Sequence, residues 1–100
     1  MFKITYGKGF HLTFPNGVTL STQFGGGNYC ENFNFEIGAE RKKNMQSRDA
    51  EIAIWNAKAE WITGRMQKDL FSTEDADSVM GHIDMETWLK IVDWCRIQEA

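Results

Sequence analysis

The stretch "FHLTFPNGVTLSTQF", residues 10–24, constrains the fold more than any other part of the chain. Phe10, Leu12 and Phe14 alternate with His11 and Thr13, and Val18, Leu20, Thr22 and Phe24 alternate with Thr19, Ser21 and Gln23, the period of two that marks half-buried strands. The two runs meet at Pro15-Asn16-Gly17. A two-residue Asn-Gly turn would set Phe14 against Thr19 and mix apolar with polar faces. A three-residue loop, with Pro15 and Asn16 in a type I turn and Gly17 left-handed, sets Phe14 against Val18 and keeps one apolar face.

A sheet grows outward from this hairpin. Phe2, Ile4 and Tyr6 alternate before it, with "GKG" at 7–9 as a turn or bulge, and Phe33, Phe35 and Ile37 suggest a short strand after it. "AEIAIWNAKAEWIT" reads as a second hairpin in which Ile52 and Ile54 share a face and Trp55 closes the strand. Residues 38–49 are charged and aperiodic, as expected of a mobile loop, and residues 64–72 are ambiguous. From residue 72 helix signals appear: Ser72 or Thr73 can cap a short turn, with Glu74 and Asp75 at its positive end.

Asp84 is the expected N-cap of a C-terminal helix in which Met85, Trp88, Leu89, Val92 and Cys95 form an apolar stripe widened by Ile91. The helix is expected to pack on one face of a mostly antiparallel sheet of four to six strands, an α+β fold in a single domain spanning residues 1–100. Trp94 and Ile97 fall outside the stripe. They either form an exposed contact patch or tuck under the 64–72 segment.

Composition narrows the chemistry. A net charge of −3 over 100 residues argues against general nucleic-acid binding, which needs concentrated positive charge. The N-terminus lacks the apolar core of a signal peptide and no apolar run is long enough for a membrane span, so the expected location is the cytoplasm, with Cys30 and Cys95 as free thiols. His11, Cys30, His82 and Cys95 are too scattered to announce a zinc site. Asp75, Asp77 and Glu86 fit three positions of a calcium loop, but Val79 and Met80 break it. Arg41, Lys42, Lys43 and Arg48 read as a solvated basic run. No metal or cofactor is expected.

"FGGGNYCENF", residues 24–33, is the segment that periodicity does not explain. Successive N–H groups could form an anion nest, yet no Gly-Lys-Ser/Thr or Gly-x-Gly-x-x-Gly spacing accompanies them. The bland reading is a strand leaving the sheet, with Asn28 in a turn and the Tyr29 ring packed while its hydroxyl stays wet. A nucleophilic Cys30 would need His11 nearby and a third orienting group that the sequence does not supply.

"FHLTFPNGVTLSTQFGGGNYCEN", then "DAEIAIWNAKAEWIT" and "VMGHIDMETWLKIVDW", resembles a group of small bacteriophage-encoded proteins of unknown function that share a strand, an Asn-Gly turn, a strand and a Gly-x-Gly-Asn-Tyr-Cys loop. The charged 38–49 segment and the Trp-rich final helix depart from that pattern. The resemblance implies action in the cytoplasm of an infected host and no particular reaction. The expected role is that of an interaction protein rather than an enzyme: an anti-CRISPR-like inhibitor of a host defence complex, acting by occlusion. Its partner is expected to be a host protein or protein–nucleic acid complex, met through Trp94 and Ile97 or through Asn28, Tyr29 and Cys30. Trp94 and Ile97 could instead hold a homodimer together. The alternative is a small-metabolite or nucleotide-binding module built on the glycine loop.

Overall fold

The computed structural model describes residues 1–5, 8–35, 46–73 and 77–99. Five strands, β1 (Phe2–Ile4), β2 (Gly9–Thr13), β3 (Thr19–Gln23), β4 (Asp49–Trp55) and β5 (Met80–Asp84), form one antiparallel sheet whose spatial order is the chain order. α1 (Thr63–Phe71) lies in the connection from β4 to β5, and α2 (Met85–Arg96) follows β5 without a break. The fold is α+β, with the C-terminal helix packed on the sheet.

The first hairpin has the three-residue loop that its hydrophobic pattern demands. Leu12 faces Leu20 and Thr13 faces Thr19. The Phe14 N–H donates to the Val18 carbonyl at 2.9 Å, and Gly17 adopts a φ of 85°. Asn16 does more than turn the chain. Its side-chain oxygen accepts the Val18 N–H at 3.0 Å, while its amide donates to the carbonyls of Cys95 (2.8 Å) and Gln98 (2.7 Å) at the end of α2. Helix C-termini leave carbonyls without partners; here a turn residue about eighty positions earlier satisfies them.

The core lies between the sheet and the two helices. Val18, Leu20, Ile52, Ile54 and Ile83 from the sheet meet Ile62, Met66, Ile91, Trp94 and Cys95. Trp88 reaches back over β3, donating its indole N–H to the Thr22 hydroxyl at 2.9 Å, with Phe10 edge-on to its ring. Asp84 caps α2 by accepting the Thr87 N–H at 2.8 Å.

Several sequence expectations are corrected. The buried stripe of α2 is Ile91, Trp94 and Cys95, with Trp88 and Val92 half-buried, whereas Met85 and Leu89 are exposed. The helix is rolled because α1 supplies a second apolar wall, which the sequence left ambiguous. α1 has weak local signals: its N-cap is Ile62, which makes no side-chain capping bond. Its anchor is Thr63, whose hydroxyl accepts the buried Ile54 N–H at 2.8 Å and so extends the bonding of β4 beyond the end of β5. Ser72 terminates α1 in the left-handed conformation instead of starting a helix, and residues 80–84 are a strand. Phe33 and Phe35 stand in turns, not in a strand, and Ile37 lies outside the described residues. Trp61 forms only a single bridge to Trp55 in place of a full second hairpin. Of the 38–49 segment, residues 38–45 lie outside the described residues and Asp49 opens β4. The basic residues Arg41, Lys42 and Lys43, and the acidic Glu74 and Asp75, also lie outside them.

Candidate functional site: an aromatic loop and a helix groove

β4 alternates. Ile52 and Ile54 enter the core, so Asp49 and Glu51 project from the opposite face of the sheet. Those two carboxylates organise the loop of residues 24–35. Glu51 accepts the Tyr29 N–H at 2.9 Å and the Asn28 side-chain amide at 3.4 Å. Asp49 accepts the Glu31 N–H at 2.6 Å, and its other oxygen sits 3.2 Å from the His82 Nδ1. Arg48 pairs with Glu31 at 2.7 Å.

β5 supplies the third wall. The Tyr29 carbonyl accepts the His82 N–H at 2.8 Å. A side chain at Gly81 would bring its Cβ within 2.6 Å of the Tyr29 Cβ, so the close approach of loop and strand needs glycine there. His82 takes a φ of 53°, unusual for a residue other than glycine, as β4 and β5 slip register between Ala50 and Ile52.

Within the loop the polar side chains turn inward. Asn28 is buried and accepts the Gly25 N–H at 3.2 Å, and Asn32 is buried and donates to the carbonyls of Phe24 (2.8 Å) and Gln46 (3.1 Å). Cys30 is buried with its sulfur 3.7 Å from the Gly25 carbonyl, and burial pushes its thiol pKa up. A protonated, enclosed thiol is a poor nucleophile. Cys95 lies in the core with its thiol pushed up to about 12 by burial. Both thiols are free.

The aromatic side chains turn outward. Tyr29 is 51% exposed and stacks on Phe33, itself 43% exposed, at a centroid distance of 5.5 Å and an interplanar angle of 13°; Phe35 beside them in sequence is also exposed. Of the loop residues flagged by the sequence, Tyr29 faces solvent while Asn28 and Cys30 hold its backbone in place. The sequence reading missed Phe33 as a site residue, and it missed Glu51 and Asp49 as anchors. The signal was present in "DAEIAIW", where two carboxylates occupy the non-core positions of a strand.

Most N–H groups that an anion nest would use are already bonded within the chain. The N–H groups of Tyr29 and Glu31 are taken by Glu51 and Asp49, and those of Gly25, Gly27, Asn28, Cys30 and Phe33 bond within the loop.

Trp94 and Ile97 separate. Trp94 is only 5% exposed, under α1, and donates its indole N–H to Asp69 at 2.9 Å; this corrects the exposed-patch expectation and matches the alternative in which the helix end tucks under residues 64–72. Ile97 is 75% exposed. Together with Leu70, Lys90, Asp93 and Arg96 they line an open groove of about 580 Å³.

Comparison with protein-family models, curated proteins and solved structures yields no match. No group of three metal-ligating side chains converges among the described residues. No described helix is long and apolar enough to cross a membrane.

Proposed function

We propose that the chain is an interaction protein that binds and occludes a macromolecular partner, with the Tyr29–Phe33 pair as its anchor. The observation that carries this reading is a pair of stacked, half-exposed aromatic rings on a loop whose backbone is bonded to Glu51, Asp49 and His82. Aromatic anchors dominate binding energy when they are presented at little entropic cost. A loop fixed before binding meets that condition. Binding in place of catalysis also accords with the enclosure of Cys30.

The narrower form of the proposal is an anti-CRISPR-like inhibitor in the cytoplasm of a phage-infected host, its partner a host protein or protein–nucleic acid complex. That form rests on the resemblance to phage-encoded proteins and on small size. The test compares capture from infected or host lysate by the wild-type chain and by a Tyr29→Ala, Phe33→Ala double variant of unchanged circular dichroism. The expected result is a partner held by the wild type and lost, by about 2 kcal/mol or more, from the variant. Equal capture by both contradicts the assignment.

A further inference from the structure

β1 is one edge of the sheet, and its side chains are uncovered: Phe2 and Ile4 are each 81% exposed. Both lie on the core side of the sheet. Phe2 pairs with Leu12, in the row that continues through Leu20 to Ile54, and Ile4 pairs with Phe10, in the row that continues through Thr22 to Ile52. The helices cover the inner strands of these rows and stop short of β1.

Among the described residues, the backbone of the same two residues is also open. The Thr13 N–H donates to the Met1 carbonyl at 2.9 Å and the Thr5 N–H to the Gly9 carbonyl at 3.0 Å. Bonded and non-bonded pairs alternate along an antiparallel ladder, so Lys3 is the residue that bonds to His11. The N–H and C=O groups of Phe2 and Ile4 therefore point away from β2. Backbone groups unpaired among the described residues and uncovered apolar side chains in one register are what strand addition requires.

Charge selects the occupant. Lys3 projects between Phe2 and Ile4 on the other face. Residues 1–30 hold Lys3 and Lys8 and no Asp or Glu, although the chain as a whole carries −3. Burial and then the Lys3 charge lower the pKa of His11. A second copy pairing antiparallel about Lys3 would set lysine against lysine, which is unfavourable.

We propose that β1 accepts an extended acidic segment of a partner protein as a sixth, antiparallel strand, its apolar side chains packing on Phe2 and Ile4 and a carboxylate facing Lys3. This surface is separate from the Tyr29–Phe33 loop, so Tyr29→Ala leaves it unchanged.

The test titrates the full chain with an acetylated Glu-Val-Glu-Ile-Glu-Val-Glu peptide and, as control, the same peptide with Lys for Glu, reading backbone amide shifts and amide exchange by NMR. The acidic peptide is expected to shift and protect the Phe2 and Ile4 amides, binding severalfold more tightly than the basic one. Lys3→Glu reverses that preference. Ile4→Pro removes the outward N–H without breaking a bond to β2 and weakens binding. No shift at either amide up to about 1 mM peptide (a dissociation free energy of roughly 4 kcal/mol) overturns the proposal. So does a peptide preference that Lys3→Glu leaves unaltered, or a peptide-free chain whose Phe2 and Ile4 shifts track a monomer–dimer equilibrium.

Discussion

The 24–35 loop and the end of α2 both carry large aromatic residues beside polar ones, yet they sort them in opposite directions. In α2 the indole of Trp94 goes inside and the charged residues go outside. In the loop Asn28, Cys30 and Asn32 go inside and Tyr29, Phe33 and Phe35 stay outside. The difference lies in what each segment packs against. α2 meets apolar walls from the sheet and α1, where a buried ring adds hydrophobic stabilisation. The loop meets the polar face of β4, where Glu51 and Asp49 accept the Tyr29 and Glu31 backbone N–H groups and so leave the rings on the solvent side. Burial follows the partner surface more closely than the residue type.

Substitutions can break this contrast, and the largest effect belongs to α2. Trp94→Ala is expected to destabilise the fold by about 3–5 kcal/mol, since it opens a cavity between α1 and α2 and removes the hydrogen bond to Asp69; Tyr29→Ala should cost under about 1 kcal/mol. Urea unfolding of the two variants measures both, and comparable losses would erase the distinction. Next in size is Glu51→Ala, which removes the acceptor of the solvent-exposed Tyr29 N–H and is expected to cost about 1 kcal/mol. It should also weaken partner binding while Tyr29 and Phe33 remain in the chain, because the rings lose their fixed presentation.

The smallest effect is local to the start of α2. Hydrogen bonds from the Thr87 side chain and backbone hold the Asp84 carboxyl below its ordinary range. A carboxyl depressed by folding stabilises above its unfolded value and loses that contribution as pH falls through its folded value. Asp84→Asn should therefore lower Tm at neutral pH, with the gap from wild type closing on acidification below about pH 4. A gap that is constant with pH would show that the cap acts without its charge.

The two regions were also unequally legible. The hairpin could be read in full, because alternation at Phe10–Phe14 and Val18–Phe24 and the chemistry of Pro15-Asn16-Gly17 allow one register. α2 was legible as an element through Asp84 and its spacing, but not in its rotation. That depends on α1, whose start at Ile62 and Thr63 carries no capping signal and whose buried side is only Thr63, Met66 and Gln67. β5 was hidden because "MGHID" buries Ile83 alone and contains Gly81 and a left-handed His82. The glycine loop could be seen as special, while its sorting of Asn28 and Tyr29 could not. That sorting is imposed by Glu51 and Asp49, about twenty residues later, just as Asn16 serves a helix end that local pattern cannot reveal.

Backbone amide hydrogen exchange at Tyr29 and Glu31 tests the pre-ordered loop most directly. Both side chains face solvent, so slow exchange at these amides requires the bonds to Glu51 and Asp49. The expected result is protection well above that of a free peptide in the wild-type chain, lost at Tyr29 in Glu51→Ala with the α2 amides still protected. Exchange of both amides at the free-peptide rate in the folded wild-type protein would contradict the account.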